Sequence, residues 1–277
     1  MLGFEDVSRP LIMGILNVTP DSFSDGGLFT DASRAVEKAL EMVEEGADLI
    51  DVGGESTRPG ADPVPLQEEL ERVIPVIDLL SKEVRVPISV DTRKPQVAAA
   101  ACEAGATMIN DVEGFRNPEM VKVAAETGAW VVVMHMKGTP KDMQNNPTYK
   151  DVVGEVCSFL ERQRDVLVQH GVDPSRVMVD PGIGFGKRFE DNLTLINSLD
   201  LIKKRVKQPL LLGHSRKRFL GEILGVPPEE RDVATAAVSV FAAIKGVDMV
   251  RVHNVKMCSQ ALRVVETLRN QGGQSAR

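Results

Sequence analysis

The chain has 277 residues, 43% hydrophobic and 26% charged, with a formal net charge of −7; that length suits one barrel-sized domain or two smaller ones. The balance is that of a soluble globular protein and lacks the basic excess that nucleic acid requires, which argues against nucleic acid as a partner. No apolar run approaches the roughly 20 residues of a bilayer span, Met1 to Pro10 lacks signal-peptide character, and Cys102, Cys157 and Cys258 fit neither a disulfide framework nor a zinc site. A cytoplasmic protein without a membrane partner is expected.

From Leu11 onward, short β-branched runs alternate with longer segments of helical period, eight pairs by Leu268, as in parallel strands joined by crossover helices. The predicted strands are Leu11–Leu16, Leu49–Val52, Pro87–Val90, Met108–Ile109, Trp130–Met134, Val177–Val179, Pro209–Leu212 and Met249–Val252. Each is nearly all apolar, as strands covered on both faces are. The first run gives way at LNVTPDSFSDGG (Leu16–Gly27), a polar loop closed by glycine in which Asn17 is the first polar position. Val36, Ala39, Leu40 and Val43 form the apolar stripe of the first helix, with Thr30 or Asp31 as its cap and Gly46 as its end. Pro65, Glu68 and Glu69 suit the opening of the second, whose stripe is Leu66, Leu70, Val73, Ile74 and Ile77. Nothing marks a second domain, and only Gln271 to Arg277 reads as a frayed tail. Eight βα units in about 250 residues predict a closed (β/α)8 TIM barrel, a single α/β domain over 1–277, since open doubly wound sheets usually stop at five or six strands.

In such a barrel, function belongs to the carboxyl ends of the strands. In chain order these deliver Asn17; Asp51, then Thr57 and Arg58; Asp91, Thr92 and Arg93; Asn110 and Asp111; His135 and Lys137; Asp180 and the loop DPGIGFGK; His214, Ser215, Arg216 and Lys217; and Arg251 and His253. Singly, a strand-end Asp is an ordinary cap or loop anchor and a strand-end His an ordinary neighbour of the core. Together they divide into two chemistries. Asp91, Asn110, Asp180 and Lys217 match a flat heterocycle with several N–H donors beside a carbonyl. Asn17, Arg58, Arg251 and His253 offer a cation ligand and positive charge suited to phosphate or pyrophosphate. The glycines of DPGIGFGK allow close backbone approach, but their spacing is not that of a dinucleotide fingerprint.

MGILNVTPDSFSDGG, GGESTRPGA, SVDTRKP, INDV, HMKGTP, DPGIGFGK, SRK and RVH occur in order between Leu11 and about Val255, and in this the chain closely resembles the dihydropteroate synthase family. The resemblance implies a pterin-binding barrel that condenses 6-hydroxymethyl-7,8-dihydropterin diphosphate with 4-aminobenzoate, releasing pyrophosphate and forming 7,8-dihydropteroate. No pyrophosphokinase-sized extension is attached, so the stand-alone form is expected. By the same resemblance, Asp180 takes a ring N–H and the exocyclic amino group of the pterin, Asn110 the same edge, Asp91 the reduced-ring nitrogen, and Lys217 the carbonyl side. Asn17 is similar to the residue that holds Mg2+ with the pyrophosphate, and Arg58, Arg251 and His253 match anion-binding positions. Thr57, Pro59, Phe185 and Ser215 match the aminobenzoate pocket, and Asp91, Lys217, Arg251 and His253 are the positions implied for catalysis. A homodimer through the late helices is implied too, and the apolar stretch Val233 to Ile244 suits either such an interface or burial against the barrel.

The chemistry of these residues agrees with a dissociative displacement: positive groups neutralise the departing pyrophosphate while Asp91 stabilises a cation delocalised in the dihydropterin ring. The first loop is expected to close, exclude water and organise the aminobenzoate site. Three positions depart from the family pattern: Glu113 after INDV, His214 before SRK and Asn254 after RVH. Strand alternation predicts that His214 faces away from Ser215 and packs behind the strand. Three rivals rank lower, one of them a barrel with unrelated phosphate chemistry, which leaves Asp180 and Asn110 without a reason to be paired. A corrinoid-dependent methyltransferase acting on methyltetrahydrofolate lacks the DSFSDGG loop and the SRK lysine, and a non-catalytic pterin-binding barrel has no use for Asn17, Lys217, Arg251 and His253.

Overall fold

The computed structural model describes residues 8–19, 27–56, 62–139 and 141–274. Eight parallel strands are present: β1 (Leu11–Asn17), β2 (Leu49–Gly53), β3 (Ile88–Asp91), β4 (Met108–Asp111), β5 (Trp130–Met134), β6 (Val177–Asp180), β7 (Leu211–Gly213) and β8 (Met249–Val252). They are hydrogen-bonded in the order β6-β5-β4-β3-β2-β1-β8-β7, and a parallel bridge from Val179 to Leu210 joins β6 to β7 and closes the ring. The closed (β/α)8 barrel expected from the alternation is the observed fold.

The strand ends differ from the expectation in two ways, each with a cause. β3 and β7 begin after Pro87 and Pro209, because proline has no N–H for the ladder; both prolines still offer a carbonyl, accepting from Ile50 N (3.1 Å) and Val179 N (2.9 Å). β1, β3, β4 and β6 run on to include Asn17, Asp91, Asn110 with Asp111, and Asp180. Apolarity ends before the ladder does.

Among the described residues ten helices cover the barrel, of which α1 (Gly27–Glu44), α2 (Leu66–Glu83), α5 (Val152–Gln169), α9 (Asp232–Ile244) and α10 (Val255–Gln274) matter below. The first runs from Gly27, so Thr30 and Asp31 fall within its span and not ahead of it, where a cap is expected. The crossovers after β6 and β7 each hold two helices rather than one: α6 (Phe189–Asn197) and α7 (Leu199–Val206), then α8 (Arg218–Leu224) and α9. Glu69, read as a helix-opening acid, is fully buried, accepting from Thr92 Oγ1 at 2.6 Å and pairing with Lys94. The cysteines are unpaired.

Side-chain alternation builds two cores. Ile12, Ile50, Val52, Val90, Ile109, Val131, Val133 and Val179 face outward into the helices. Leu11, Met13, Leu49, Met108, Val132, Met178, Leu211 and Met249, backed by Trp130, plug the inside of the barrel, each worth roughly 1.5–3 kcal/mol on burial. The unbranched methionines fill this irregular space. With a period of two, the next inward positions up the barrel are Asp51, Ser89, Asp91, Asn110, Asp180 and Arg251, and the strand registers set Asp51 beside Ser89, Asp91 beside Asn110 and Gly213 beside Arg251. The apolar plug is the floor under a polar layer.

Candidate active site

Arg251 spans two carboxylates in that layer. Its Nε donates to Asp51 Oδ2 and its Nη2 to Asp91 Oδ2, both at 2.6 Å. Asn110 Nδ2 donates to the same Asp51 Oδ2 at 3.1 Å, which leaves the carbonyl oxygen of Asn110 free to accept from a ligand. Asp51 Oδ1, Ser89 Oγ and Asp91 Oδ1 are buried without a hydrogen-bond partner, and buried acceptors in that condition are unusual enough to mark a site. Burial above all, and then the neighbouring charges of Asp51, Glu69 and Asp111, push Asp91 up to about 7 against the pull of Arg251. Burial opposes the Arg251 charge, but Asp51 and Asp91 outweigh it and hold the guanidinium above its ordinary value.

Across the barrel, Asp180 Oδ1 accepts from Gly182 N at 2.7 Å, and the loop that follows turns back over the strand ends. A Cβ on Gly182 (φ +69°) would lie 1.9 Å from the His135 carbonyl oxygen, and one on Gly186 (φ +60°) 2.2 Å from that of Lys137. Only glycine fits these close crossings. Lys187 ends the loop in a buried position, donating to the carbonyls of Gly182 (2.8 Å), Phe185 (3.0 Å) and His135 (3.2 Å), with His135 Nδ1 at 3.0 Å. Burial lowers its pKa well below that of an ordinary lysine. His135 packs edge-on against Phe159 at 5.1 Å. It serves the loop rather than the mouth.

Lys217 comes in from the end of β7, donates to the Ile183 carbonyl and sits 4.4 Å from the centre of the Phe185 ring. Burial brings it down to about 8, opposed chiefly by the Asp180 carboxylate. Asp180 itself is raised by burial, with Lys217 the strongest opposing charge. Asp91, Asn110, Asp180, Lys217 and Arg251 are thus brought together at one end of the barrel. Ser215 and His253 form a neighbouring pair: Ser215 Oγ lies 2.9 Å from His253 Nδ1 and accepts from His253 N at 3.1 Å. Asn17 closes β1, half-buried, on the strand between β2 and β8. Thr57, Arg58 and Pro59 lie outside the described residues.

Several other strand-end groups are structural. Asp111 accepts from Glu113 N (2.8 Å) and Phe115 N (2.7 Å), a loop anchor. Arg93 pairs with Glu55 at 2.7 Å and with Glu113 at 3.2 Å, so the unusual glutamate completes an ion-pair chain that also contains Lys94 and Glu69. Asn254 donates to Asp232 and caps Met257 N, both at 3.0 Å. His214 is fully buried behind β7 against α9, beside Thr235 O (2.9 Å) and Ser239 Oγ (3.0 Å), as alternation predicted. Asp51 has no role by residue type alone, but its place two residues beyond inward-facing Leu49 points it into the barrel.

The pterin binding enzyme family matches residues 13–253. A dihydropteroate synthase of Synechocystis sp. is 47% identical over 267 residues, 96% of this chain and 92% of that protein. Among solved structures, Yersinia pestis dihydropteroate synthase in complex with a sulfonamide drug superposes with a TM-score of 0.90 at 44% identity, covering 96% of each chain. The Xanthomonas albilineans dihydropteroate synthase with 4-aminobenzoic acid gives 0.89 at 47% identity, over 94% of this chain and 93% of that one. With a polar barrel mouth of this composition and relatives this similar along nearly its whole length, the chain belongs to the dihydropteroate synthase family of pterin-binding enzymes, transferases of folate biosynthesis.

Proposed function

We propose that this member of the family condenses 6-hydroxymethyl-7,8-dihydropterin diphosphate with 4-aminobenzoate by a dissociative displacement run by the polar layer above the apolar plug. One observation carries this reading. Asp91, buried and pushed up in pKa, keeps Oδ1 without a partner while Oδ2 holds Arg251. A carboxylate arranged so is ready to accept from a ring N–H and to stabilise positive charge developing in that ring. Asp180 accepts from the amino edge of the pterin, the carbonyl of Asn110 from the same edge, and Lys217 donates to the carbonyl side.

Arg251 has further N–H groups beyond the two that it gives to Asp51 and Asp91, and with His253 it offers positive charge to the departing pyrophosphate. Ser215 and Phe185 contribute a hydroxyl and an apolar wall for 4-aminobenzoate, with Thr57, Arg58 and Pro59 as their expected companions. The arylamine attacks once the carbon to oxygen bond has broken, so no covalent enzyme intermediate is needed. Asn17 supplies a hard amide oxygen at the end of β1. A single protein oxygen fits Mg2+, which commonly takes its other positions from phosphate and water; among the described residues no cluster of three or more His, Cys, Asp or Glu side chains is placed to cage a metal. Bound there with the substrate, the ion supplies charge neutralisation to the diphosphate.

A homodimer through the late helices is part of this proposal. α9 buries Thr235, Ala236, Ser239, Ala242 and Ala243 but leaves Val233 71% and Ile244 63% exposed, and the neighbouring α10 leaves Val264 and Leu268 exposed. An apolar face of that kind suits a second copy. Cytoplasmic placement is proposed as well; among the described residues no helix is long and apolar enough to cross a membrane. The test of the reaction is pyrophosphate release from the pterin diphosphate, measured with and without 4-aminobenzoate and Mg2+. Release that requires a covalent enzyme adduct, or that is unaffected by removing the charge of Arg251, would overturn the proposed course.

A further inference from the structure

Asp51 holds two of the other groups of the polar layer and has no part in the chemistry described so far. It is fully buried on β2, and one of its oxygens, Oδ2, accepts from both Arg251 Nε (2.6 Å) and Asn110 Nδ2 (3.1 Å). Each contact has a consequence for a residue that faces the pterin. By taking the amide N–H, Asp51 turns the Asn110 carbonyl toward the substrate; with the amide reversed, Asn110 would present a donor to an edge made of donors. By taking Nε, Asp51 fixes one corner of the guanidinium while Nη2 meets Asp91, and the remaining N–H groups are committed to neither carboxylate.

Charge points the same way. Asp180 and Lys217 balance each other, whereas Asp51 and Asp91 share the single cation Arg251. Once Asp91 is ionised, these three groups carry one negative charge more than they cancel, in a water-poor setting under the ring that turns positive when pyrophosphate leaves.

We infer that Asp51 is a positioning residue of the condensation, setting the amide orientation of Asn110 and the reach of Arg251 and supplying the excess negative charge beneath the dihydropterin ring. The inference rests on the dissociative reading proposed above. It predicts a graded series. Asp51→Asn keeps an oxygen that can accept both hydrogen bonds but loses the charge; Asp51→Ala loses both.

The experiment is steady-state pyrophosphate release by the full chain at saturating 4-aminobenzoate over a range of pH, with urea unfolding as the control for stability. For Asp51→Asn, kcat is expected to fall about tenfold while the KM for the pterin diphosphate stays within about threefold; for Asp51→Ala, kcat falls about 100-fold and the KM rises about tenfold. A merely structural role would not separate kcat from KM, nor be partly rescued by the amide. A pH profile adds a second readout. Asp91 is faced by Arg251 from β8, Asp51 from β2, Glu69 from α2, Asp111 from β4 and Lys217 after β7. Removing the Asp51 charge eases ionisation of Asp91, so the acid limb of kcat moves to lower pH in Asp51→Asn.

Wild-type kcat and an unmoved acid limb in both variants would overturn the inference, provided that Asp91→Asn and Arg251→Met are crippled. Should those two retain full turnover, the dissociative reading falls and this inference with it. If neither Asp51 variant folds, Asp51→Glu decides: it keeps the charge but its extra methylene displaces the oxygen from Arg251 Nε and Asn110 Nδ2, and a kcat loss of about tenfold or more with the KM within about threefold supports the inference while wild-type kcat refutes it.

Discussion

Replacing Asp91 by Asn tests whether its charge acts in the ground state or only as the ring becomes a cation. In the native layer, Arg251 lies 2.6 Å from both Asp51 and Asp91. With Asn at 91 it is balanced by Asp51 alone, and the excess negative charge of the floor disappears. A unit charge about 4 Å from a developing cation, at an effective dielectric of about 20, is worth about 4 kcal/mol. Losses of comparable preorganised groups cost about 100- to 1,000-fold in kcat. Ground-state binding should suffer far less, because the amide oxygen can still accept from the ring N–H and a hydrogen bond contributes about 0.5–1.5 kcal/mol net. The expected result is a kcat lower by about two to three powers of ten with pterin affinity weakened at most about tenfold. Pyrophosphate release at saturating 4-aminobenzoate gives the first quantity, and calorimetric titration with a non-reacting pterin diphosphate analogue gives the second. Equal losses in the two would refute the argument and reduce Asp91 to recognition.

The same variant makes a second, independent statement through pH. A carboxyl raised to about 7 when folded holds a proton that the unfolded chain has lost, so between about pH 4 and pH 7 the folded Asp91 is the more protonated form and its contribution to stability falls as pH rises. Asp91→Asn should flatten that fall, seen in urea midpoints across the window.

Gly182→Ala places a Cβ 1.9 Å from the His135 carbonyl at φ +69°, so a loss of about 2 kcal/mol or more in urea unfolding, with weakened pterin binding, is expected. Lys187→Met strips the donor from two buried carbonyls, those of His135 and Gly182, and from the half-buried one of Phe185, and should cost about 3 kcal/mol or more in the same assay; a change under about 1 kcal/mol would mean that the loop does not depend on it. His214 is held neutral by burial, its pKa lowered to about 4. The unfolded histidine therefore binds the extra proton between about pH 4 and pH 6.5, the His214 contribution to stability rises with pH across that window by up to about 3 kcal/mol against the opposite contribution of Asp91, and in His214→Gln the urea midpoint should fall more steeply with pH than in the wild type. Val233→Glu with Ile244→Glu should shift a dimer to monomer in sedimentation at micromolar concentration; an unchanged assembly would place the interface elsewhere.

The eight strands and the polar character of their ends could be read along the chain because both are local patterns. A strand announces itself by period and β-branching, and the switch from Leu16 to Asn17, or from Val179 to Asp180, marks an end without reference to any other segment. The orientation of His214 followed from alternation alone. Bounds went astray where a local rule met the ladder: proline at 87 and 209 shortened two strands, and Thr30 and Asp31, good capping residues by type, were swallowed by a helix that begins at Gly27.

Periodicity and residue type need no neighbours to be meaningful, and they are enough to specify the barrel, the inward positions and the chemical inventory of its mouth. Which groups meet was decided only by closing the ring. Asp51 and Arg251 are 200 residues apart, and no local pattern says that one guanidinium bridges β2 and β3, that Asp51 orients Asn110, or that Glu69 is buried with Lys94. Nor does residue type reveal that Lys187 holds a loop rather than a ligand. Pairing among buried charges depends on distances and desolvation across strands brought together only in the folded barrel, so the same carboxylate can be a cap, an anchor or part of a site until its neighbours are in place.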